Sequence, residues 1–367
     1  METNTKIAQH IDKLPCPQCH APLGYSAEKK AIHCSSCGFS KEIDKSNDFI
    51  REQSLQTALQ QLTYETPNPE KKVIDCGSCG AKLMIDRKEV SIRCNFCGSS
   101  KVNEEAYQEK TIQPQGLIVF QVSKKESVDK FKSWIKKGWF HPNALKKLAA
   151  LGDIHGIYLP FWTFDADSQT QWSGEAGYYY YVSVTSTENG KTVTKQERRT
   201  RWEWKSGQFE HFFNDTLILA SKGLNQEIVE KIYPFDLKSL LNHKPELLVG
   251  WETEIYSLEV MEGYSQAEKL MNQSNLDKAK DYLGGDTHRG LSVQSQYYNP
   301  TFKHILLPVW LCTYQYNGKS YQFAVNGQTG KINGKKPVST LKVIIFILFI
   351  LTIIAIIIYA VQSQSTS

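Results

Sequence analysis

The chain lacks the patterns by which most enzymes announce themselves. It has no His-Glu-x-x-His and no Gly-x-Ser-x-Gly. Its Gly-Lys-Thr at 190–192 and Gly-Lys-Ser at 318–320 miss the glycine that a phosphate-binding loop carries five positions earlier. Thr185 and Thr313 stand there instead. Both stretches read as hairpin turns. Asp165, Asp167 and Glu175 could be imagined as an acidic set, but they read as exposed strand and loop residues. A non-enzymatic role is therefore expected. Strong charge is lacking too. A formal net charge of +5 does not by itself imply a nucleic-acid partner. Residues 1–110 hold fifteen Lys and Arg against fifteen Asp and Glu. No apolar stretch near Met1 could serve as a signal peptide.

Charge is also missing between Val343 and Val361, where only Thr352 and Tyr359 carry a polar side-chain atom. As a helix at about 1.5 Å per residue this run spans roughly 28 Å, close to the ~30 Å hydrocarbon core of a bilayer. A core helix of a soluble domain would show a polar face, and this run has none. In lipid a helix satisfies every backbone amide internally. A transmembrane helix is thus predicted at 342–361. Lys331, Lys335, Lys336 and Lys342 precede it and nothing basic follows. Basic flanks stay in the cytoplasm. The expectation is a single-pass protein of the cell membrane, anchored to the lipid bilayer by this helix, with its N-terminal body cytoplasmic.

Eight of the nine cysteines fall into two sets. They are Cys16, Cys19, Cys34 and Cys37, and, sixty residues on, Cys76, Cys79, Cys94 and Cys97. Each set is a Cys-x2-Cys, fourteen residues, and a second Cys-x2-Cys. In a reducing compartment this favours metal over disulfide. Two cysteines three apart in a tight turn aim both sulfurs at one ion, and two such turns complete a tetrahedral shell of four sulfurs. The reading is two structural Zn2+ sites in zinc ribbons at 12–42 and 73–102. Iron takes the same donor set, and spacing alone leaves it open. Segments 31–34 and 90–94 are the expected returning strands. So small a module has almost no core, so metal should supply most of its folding energy. His20 and His33, beside ligand cysteines, read as surface residues. The first ribbon offers Tyr25, Lys29, Lys30 and Phe39 to a nucleic acid. The second offers Arg87, Lys88, Arg93 and Phe96. That is thin, so protein docking is favoured.

Between the ribbons, 46–72 reads as a helical linker, with Phe49, Leu55, Leu59 and Leu62 near helical spacing and Ser46 or Asn47 as cap. Residues 115–336 read as a β-rich α+β body. "GLIVFQVS" is a predicted strand. "KKESVDKFKSWIKKGWF" (124–140) is a predicted helix with Val128, Phe131, Trp134 and Ile135 on one face, and "NALKKLAALG" a second helix ending at Gly152. Alternation around Asn189-Gly190 predicts a long hairpin. Helices follow over "LNQEIVEKIYPF" and "YSQAEKLMNQSNLDKAKDYLGG". "IHGIYLPFWTFDA" (154–166) echoes "FKHILLPVWLCTY" (302–314), which suggests an internal duplication around 116–222 and 223–336. Pro160 and Pro308 are expected at strand starts or bulges. Trp162 and Trp310 are expected in the core, and Cys312 as a buried small hydrophobe. "RRTRWEWK", with Arg198, Arg199, Arg201, Trp202 and Trp204, fits a strand with arginines outside and tryptophans inside. "KSWIKKGWF" fits a core-facing helix or a contact with anionic lipid. The fold class is α+β: two small N-terminal zinc ribbons, a β-rich body and one C-terminal transmembrane helix.

The paired ribbons, the block "LLPVWLCTYQYNGKSYQFAVNGQTGKINGKKP" and the helix after it resemble a family of bacterial tail-anchored double zinc-ribbon membrane proteins. Its members often bear the labels primosomal-protein-N′-like or transcription-factor-IIB-type zinc ribbon. The resemblance implies metal ligation by the eight cysteines. It also implies association with SPFH-domain (flotillin-like) and phage-shock-protein-A-like proteins in envelope stress. A helicase would need a phosphate cradle and acidic magnesium ligands, which this sequence lacks. The functional expectation is a membrane-anchored adaptor that recruits a cytoplasmic or membrane-associated partner such as an SPFH-type scaffold. The alternative is a membrane-tethered nucleic-acid binder using the ribbons and "RRTRWEWK".

Overall fold

The computed structural model describes residues 15–43, 50–61, 63–64, 71–86, 94, 96–97, 99, 102–105, 110–136, 142, 154–188, 191–316 and 319–365. The protein is α+β and mostly sheet, with four α-helices among the described residues. In the first ribbon, β1 (Gly24–Ser26) pairs antiparallel with β2 (Ala31–His33), and β3 (Ser40–Lys41) adds to β2. The segment read as a helical linker holds β4 (Gln53–Ser54), a 3₁₀-helix over Leu55–Gln61 and β5 (Thr63–Tyr64). The physical reason is which residues need burial. Leu55 and Ala58 are both buried against the cluster around Trp162. Three apart, they lie on one line of a helix with three residues per turn. Ser46, Asn47 and Phe49 lie outside the described residues.

The second ribbon supplies β6 (Lys71–Cys76), β7 (Lys82–Asp86) and β8 (Val102–Glu105). After β9 (Lys110–Thr111) the body follows: β10 (Gly116–Leu117), α1 (Lys124–Lys136), β11 (His155–Glu188), β12 (Lys191–Leu219), α2 (Gln226–Ile232), β13 (Leu241–Asn242), β14 (Glu252–Ile255), α3 (Val260–Leu283), β15 (Thr287–Tyr316), β16 (Lys319–Asn326), β17 (Ile332–Gly334) and α4 (Thr340–Ser365). The strand expected over 116–123 is thus only two residues long. Ile118 N still donates to Leu306 O at 3.1 Å, and the chain then leaves the ladder with Val119, Phe120 and Val122 buried, because Val122 must reach Trp310 and α1 begins at Lys124. The helix expected over 143–152 and the strand expected over 90–94 fall on residues that are largely outside the described set.

The echo around Pro160 and Pro308 has a counterpart in the pairing. β10 runs parallel to β15 with Gly116 opposite Ile305, and β14 runs parallel to β11 with Glu252 opposite Ile157. The shift of 136 residues that takes Gly116 to Glu252 also takes Val122 to Leu258 and the start of α1 to the start of α3. The shift of 148 that takes Ile157 to Ile305 takes Trp162 to Trp310. Each tryptophan donates its indole N–H to the carbonyl before the other half's helix: Trp162 to Leu258 O and Trp310 to Val122 O, both at 2.8 Å. The two strand–helix–hairpin halves therefore interlock. Residues 223–250, with α2 and β13, insert between them.

Pro160 and Pro308 sit inside the long strands rather than at their starts. Each stands one residue past the end of a neighbouring strand. Phe161 opposite Leu219 is the last β11–β12 pair, and Val309 opposite Asn326 the last β15–β16 pair. The missing N–H thus costs no ladder bond. Each proline carbonyl still accepts a bond, from Ala220 N at 2.9 Å and Gly327 N at 2.8 Å.

β12, β11 and β15 form a three-stranded antiparallel blade in that spatial order. At roughly 3.3 Å per residue, β11 is about 110 Å long. One face packs under α3 through Val260, Gly263, Ala267, Met271, Asn275, Ala279 and Leu283, the near-four spacing of a single helix stripe. The other face is open and polar at its middle, with rows such as Gln171–Gln208–Gln294 and Ser173–Ser206–Ser292 across the strands. Beyond Gly177, where β15 begins, β11 and β12 continue as a two-stranded arm. Gly263 permits close approach of α3. A Cβ there would stand 2.8 Å from Trp162 Cδ1 and 3.3 Å from Phe164 Cζ. Gly263→Val is expected to cost about 1–3 kcal/mol by overpacking, read by urea denaturation.

Helix α4 stands outside the body. Its span Thr340–Ile358 has a mean hydropathy of 3.3 and no buried residue. By length and composition it could cross a membrane.

Candidate metal centres

The structure brings the predicted cysteines together in two groups of four, with the sulfurs of each group within 4.8 Å of one another. Cys16 and Cys37 lie 3.5 Å apart, as do Cys19 and Cys34. Cys76 and Cys97 are 3.5 Å apart, and Cys79 and Cys94 3.6 Å. Four thiolates at ~2.3 Å around one tetrahedral ion would stand about 3.8 Å from each other. The groups fit one metal each, and a disulfide would need ~2 Å. Each group joins two turns. In the first, His20 N donates to Cys16 O and Gly38 N to Cys34 O. In the second, Gly80 N donates to Cys76 O. Gly38 and Gly80 hold φ of +82° and +74°, a region where glycine is favoured.

Backbone amides aim at the sulfurs, as an anionic thiolate requires. The N–H groups of Cys37 and Ser36 help lower Cys34 to about 6, with the Cys19 and Cys37 thiols adding to the effect. The Cys79 thiol, then the N–H groups of Cys97 and Phe96, lower Cys94 to about 5. Cys79 moves up in turn, because its proton is held against Cys94 and its sulfur is partly desolvated. One sulfur in each group thus gives up its proton readily, the first step a cation needs.

Neither ribbon is the nearly coreless module expected. Cys16, Leu23, Tyr25, Ile32 and Cys34 belong to the cluster built on Phe120, Tyr158 and Trp310. Tyr25 donates its hydroxyl to Phe120 O at 2.6 Å, and Trp251 donates to Tyr25 O at 3.0 Å. The second ribbon joins the body's sheet, with β7 antiparallel to β14. Cys76, Leu83, Cys94 and Phe96 pack with Leu224 and Ile228. Tyr25 and Phe96, which the sequence offered for stacking on bases, are therefore buried. Phe39 packs against the first cluster. Lys29 and Lys30 are exposed, and Arg87, Lys88 and Arg93 lie outside the described residues. His20 is exposed. His33 Nδ1 lies 2.9 Å from Phe39 O and 3.0 Å from Ser40 Oγ.

Two features carry no sequence signal. Glu254 is buried on β14 near Cys94, and Ser221 Oγ donates to it at 2.8 Å. Burial holds its carboxyl well above the usual range. A lone glutamate in "ETEI" gives no hint of this. The second feature is a charged knot. Lys303 bridges Glu52 at 2.9 Å and Asp215 at 2.8 Å, and Asp215 N donates to Asp165 at 2.7 Å. Asp165, read as exposed, is only 4% accessible. Opposite it across β11 and β15 stands Thr301, whose hydroxyl donates to Glu52 at 2.6 Å. Asp167 is exposed and Glu175 half-buried in a bidentate pair with Arg289, so the three carboxylates form no common site.

No protein-family model matches the chain, and no solved structure matches it. Among curated proteins it is similar to the uncharacterized protein YdjG of Bacillus subtilis (strain 168), 28% identical over 344 residues, which cover 89% of this chain and 91% of YdjG.

Proposed function

We propose that the chain is a non-enzymatic adaptor held on the cell membrane by α4, with its body in the cytoplasm, recruiting a protein partner of the SPFH-scaffold or envelope-stress kind. The observation that carries this reading is α4: an apolar span of nineteen residues wholly outside a folded body. The thiol groups support it. Four protein donors fill a tetrahedral shell and leave no position for substrate, so the metal, zinc in this reading, braces the fold. Cys19 and Cys37 with their neighbours Gln18 and Ser36 are exposed, which leaves the tip of the first ribbon open to a partner.

The test removes residues 342–367. The partner is captured by cross-linking in cells, detergent extraction and affinity purification, with a nuclease-treated control. The expected result is one enriched scaffold protein whose membrane fraction falls at least several-fold without the helix. Unchanged recruitment would sink the reading. A second reading, nucleic-acid binding, draws on the exposed arginines of the arm. Against it, Arg199 is paired with Glu197 at 3.4 Å and Arg201 with Glu203 at 2.9 Å, so phosphates would compete with carboxylates. Enrichment lost on nuclease treatment would favour it.

A further inference from the structure

The tryptophans of "RRTRWEWK" are not both inside. Trp202 is half-buried, but Trp204 is 66% exposed. It has company. Among the described residues, seven large apolar side chains of the blade and arm are exposed, and five share the open face turned away from α3: Tyr179, Tyr181, Trp204, Phe212 and Tyr298. Solvated sheet faces carry polar residues in alternation. Rings gathered on one face, rich in Tyr, Trp and Arg, have the make-up of a protein interface.

We infer that this face pairs with the same face of a second copy, its strands running antiparallel to the first copy's, about a two-fold axis running along the row Ser173–Ser206–Ser292. Three features of the face are self-complementary under that axis. The serine and glutamine rows line a shallow hollow of about 550 Å³. Trp204 stands one row toward the arm from the serines, on β12. The axis places it over Gln208 of the second copy, one row toward the root on the same strand, inside the hollow. Charge agrees as well. Glu210, two rows toward the root, comes opposite the second copy's Trp202, over whose ring Arg289, already bidentate with Glu175 of its own chain, lies at 4.1 Å. Asp167, three rows toward the root, comes opposite the second copy's Tyr179, over whose ring Arg198 lies at 4.2 Å. An axis that matches the acid Asp167 to the cation Arg198, and a ring to a hollow, is what an isologous contact requires.

The area suffices. Strands ~4.8 Å apart and rows ~6.8 Å apart, three strands wide in the five central rows and two wide in the outermost pair, give about 620 Å² per copy, or about 1,240 Å² in total, at the lower end of the roughly 1,200–2,000 Å² of stable interfaces.

The experiment measures the protein mass of the full-length, detergent-solubilised chain by light scattering at micromolar concentration. The wild type is expected to be a dimer. Trp204→Ala and Asp167→Arg are expected to be monomers, while the double variant Asp167→Arg with Arg198→Asp regains the dimer. Metal content and thermal unfolding, compared at equal protein concentration, show that each variant is folded. A monomeric wild type overturns the inference and leaves the face to a different protein. A dimer that survives both single variants overturns it too, and places the contact elsewhere, for example along α4.

Discussion

Replacing Cys94 with serine is expected to lower bound metal from two ions per chain to one and to loosen more than its own ribbon. Cys94 is buried in the cluster that also holds Phe96, Leu224, Ile228 and Val229. Phe96 O accepts the hydroxyl of Thr313 from β15 at 2.6 Å, and Gly223 packs against the Phe96 ring. Binding of a structural zinc ion is worth about 10–16 kcal/mol in isolated peptides. Part of that is replaced here by packing, so the expected loss is above about 4 kcal/mol, the range where loss of a metal site stands out among point mutations. Cys312→Ser is the control. It is buried but belongs to neither thiol group, so both ions should stay bound at a cost of about 1–3 kcal/mol. Metal analysis beside thermal unfolding reads both. Two ions retained in Cys94→Ser would mean that this group does not hold its metal through Cys94.

Lys303→Met is expected to cost about 3–5 kcal/mol, because it strands Glu52 and Asp215 beside the buried Asp165 without their cation. The knot also sets a pH dependence. Burial, then the hydrogen bond with Glu52, pushes Asp165 up to about 7. An acid whose folded pKa exceeds its unfolded value of ~3.9 contributes stability that is complete below about pH 4 and lost as pH rises to about 7. Glu52 behaves oppositely. Burial works against its ionisation, yet bonds from Asp165, Thr301 and Lys303 hold it at about 2. Its contribution is present above its unfolded value of ~4.3 and fades as pH falls toward 2. Asp165→Asn should flatten the decline in stability between pH 5 and 7, measured by urea denaturation. An unchanged slope would place the titration on another group.

How much of this the residues announced depends on distance along the chain. The thiol groups and the apolar helix were legible because their constraints are local. Four cysteines at fixed spacing have few ways to satisfy a metal, and an uncharged run needs no partner to be recognised. The helix at Lys124–Lys136 followed from Phe131 and Ile135 recurring at helical spacing, and the hairpin flanks of Asn189-Gly190 from turn chemistry. What stayed hidden depends on contacts far apart in sequence. Nothing near Pro160 says that β12 stops one residue short of it. Nothing in "KLMID" says that it will lie against β14. Trp204 looked like a core residue because alternation assigns faces without saying which face is covered, and on this blade α3 covers only one. Asp165 looked like a surface residue because the lysine that accompanies it comes from β15.

The interlocked halves also set an order in time. Val122 receives the Trp310 indole from 188 residues further on. At ribosomal rates of about 5–20 residues per second, the first half exists for roughly 10–40 s before its partner strand is made. Throughout that interval Ile118 and Phe120, fully buried in the finished protein, have nothing from β15 to bury them. The nascent chain is therefore expected to depend on holding factors more than a protein of two self-sufficient domains would, and to be most vulnerable to aggregation when translation slows between β12 and β15.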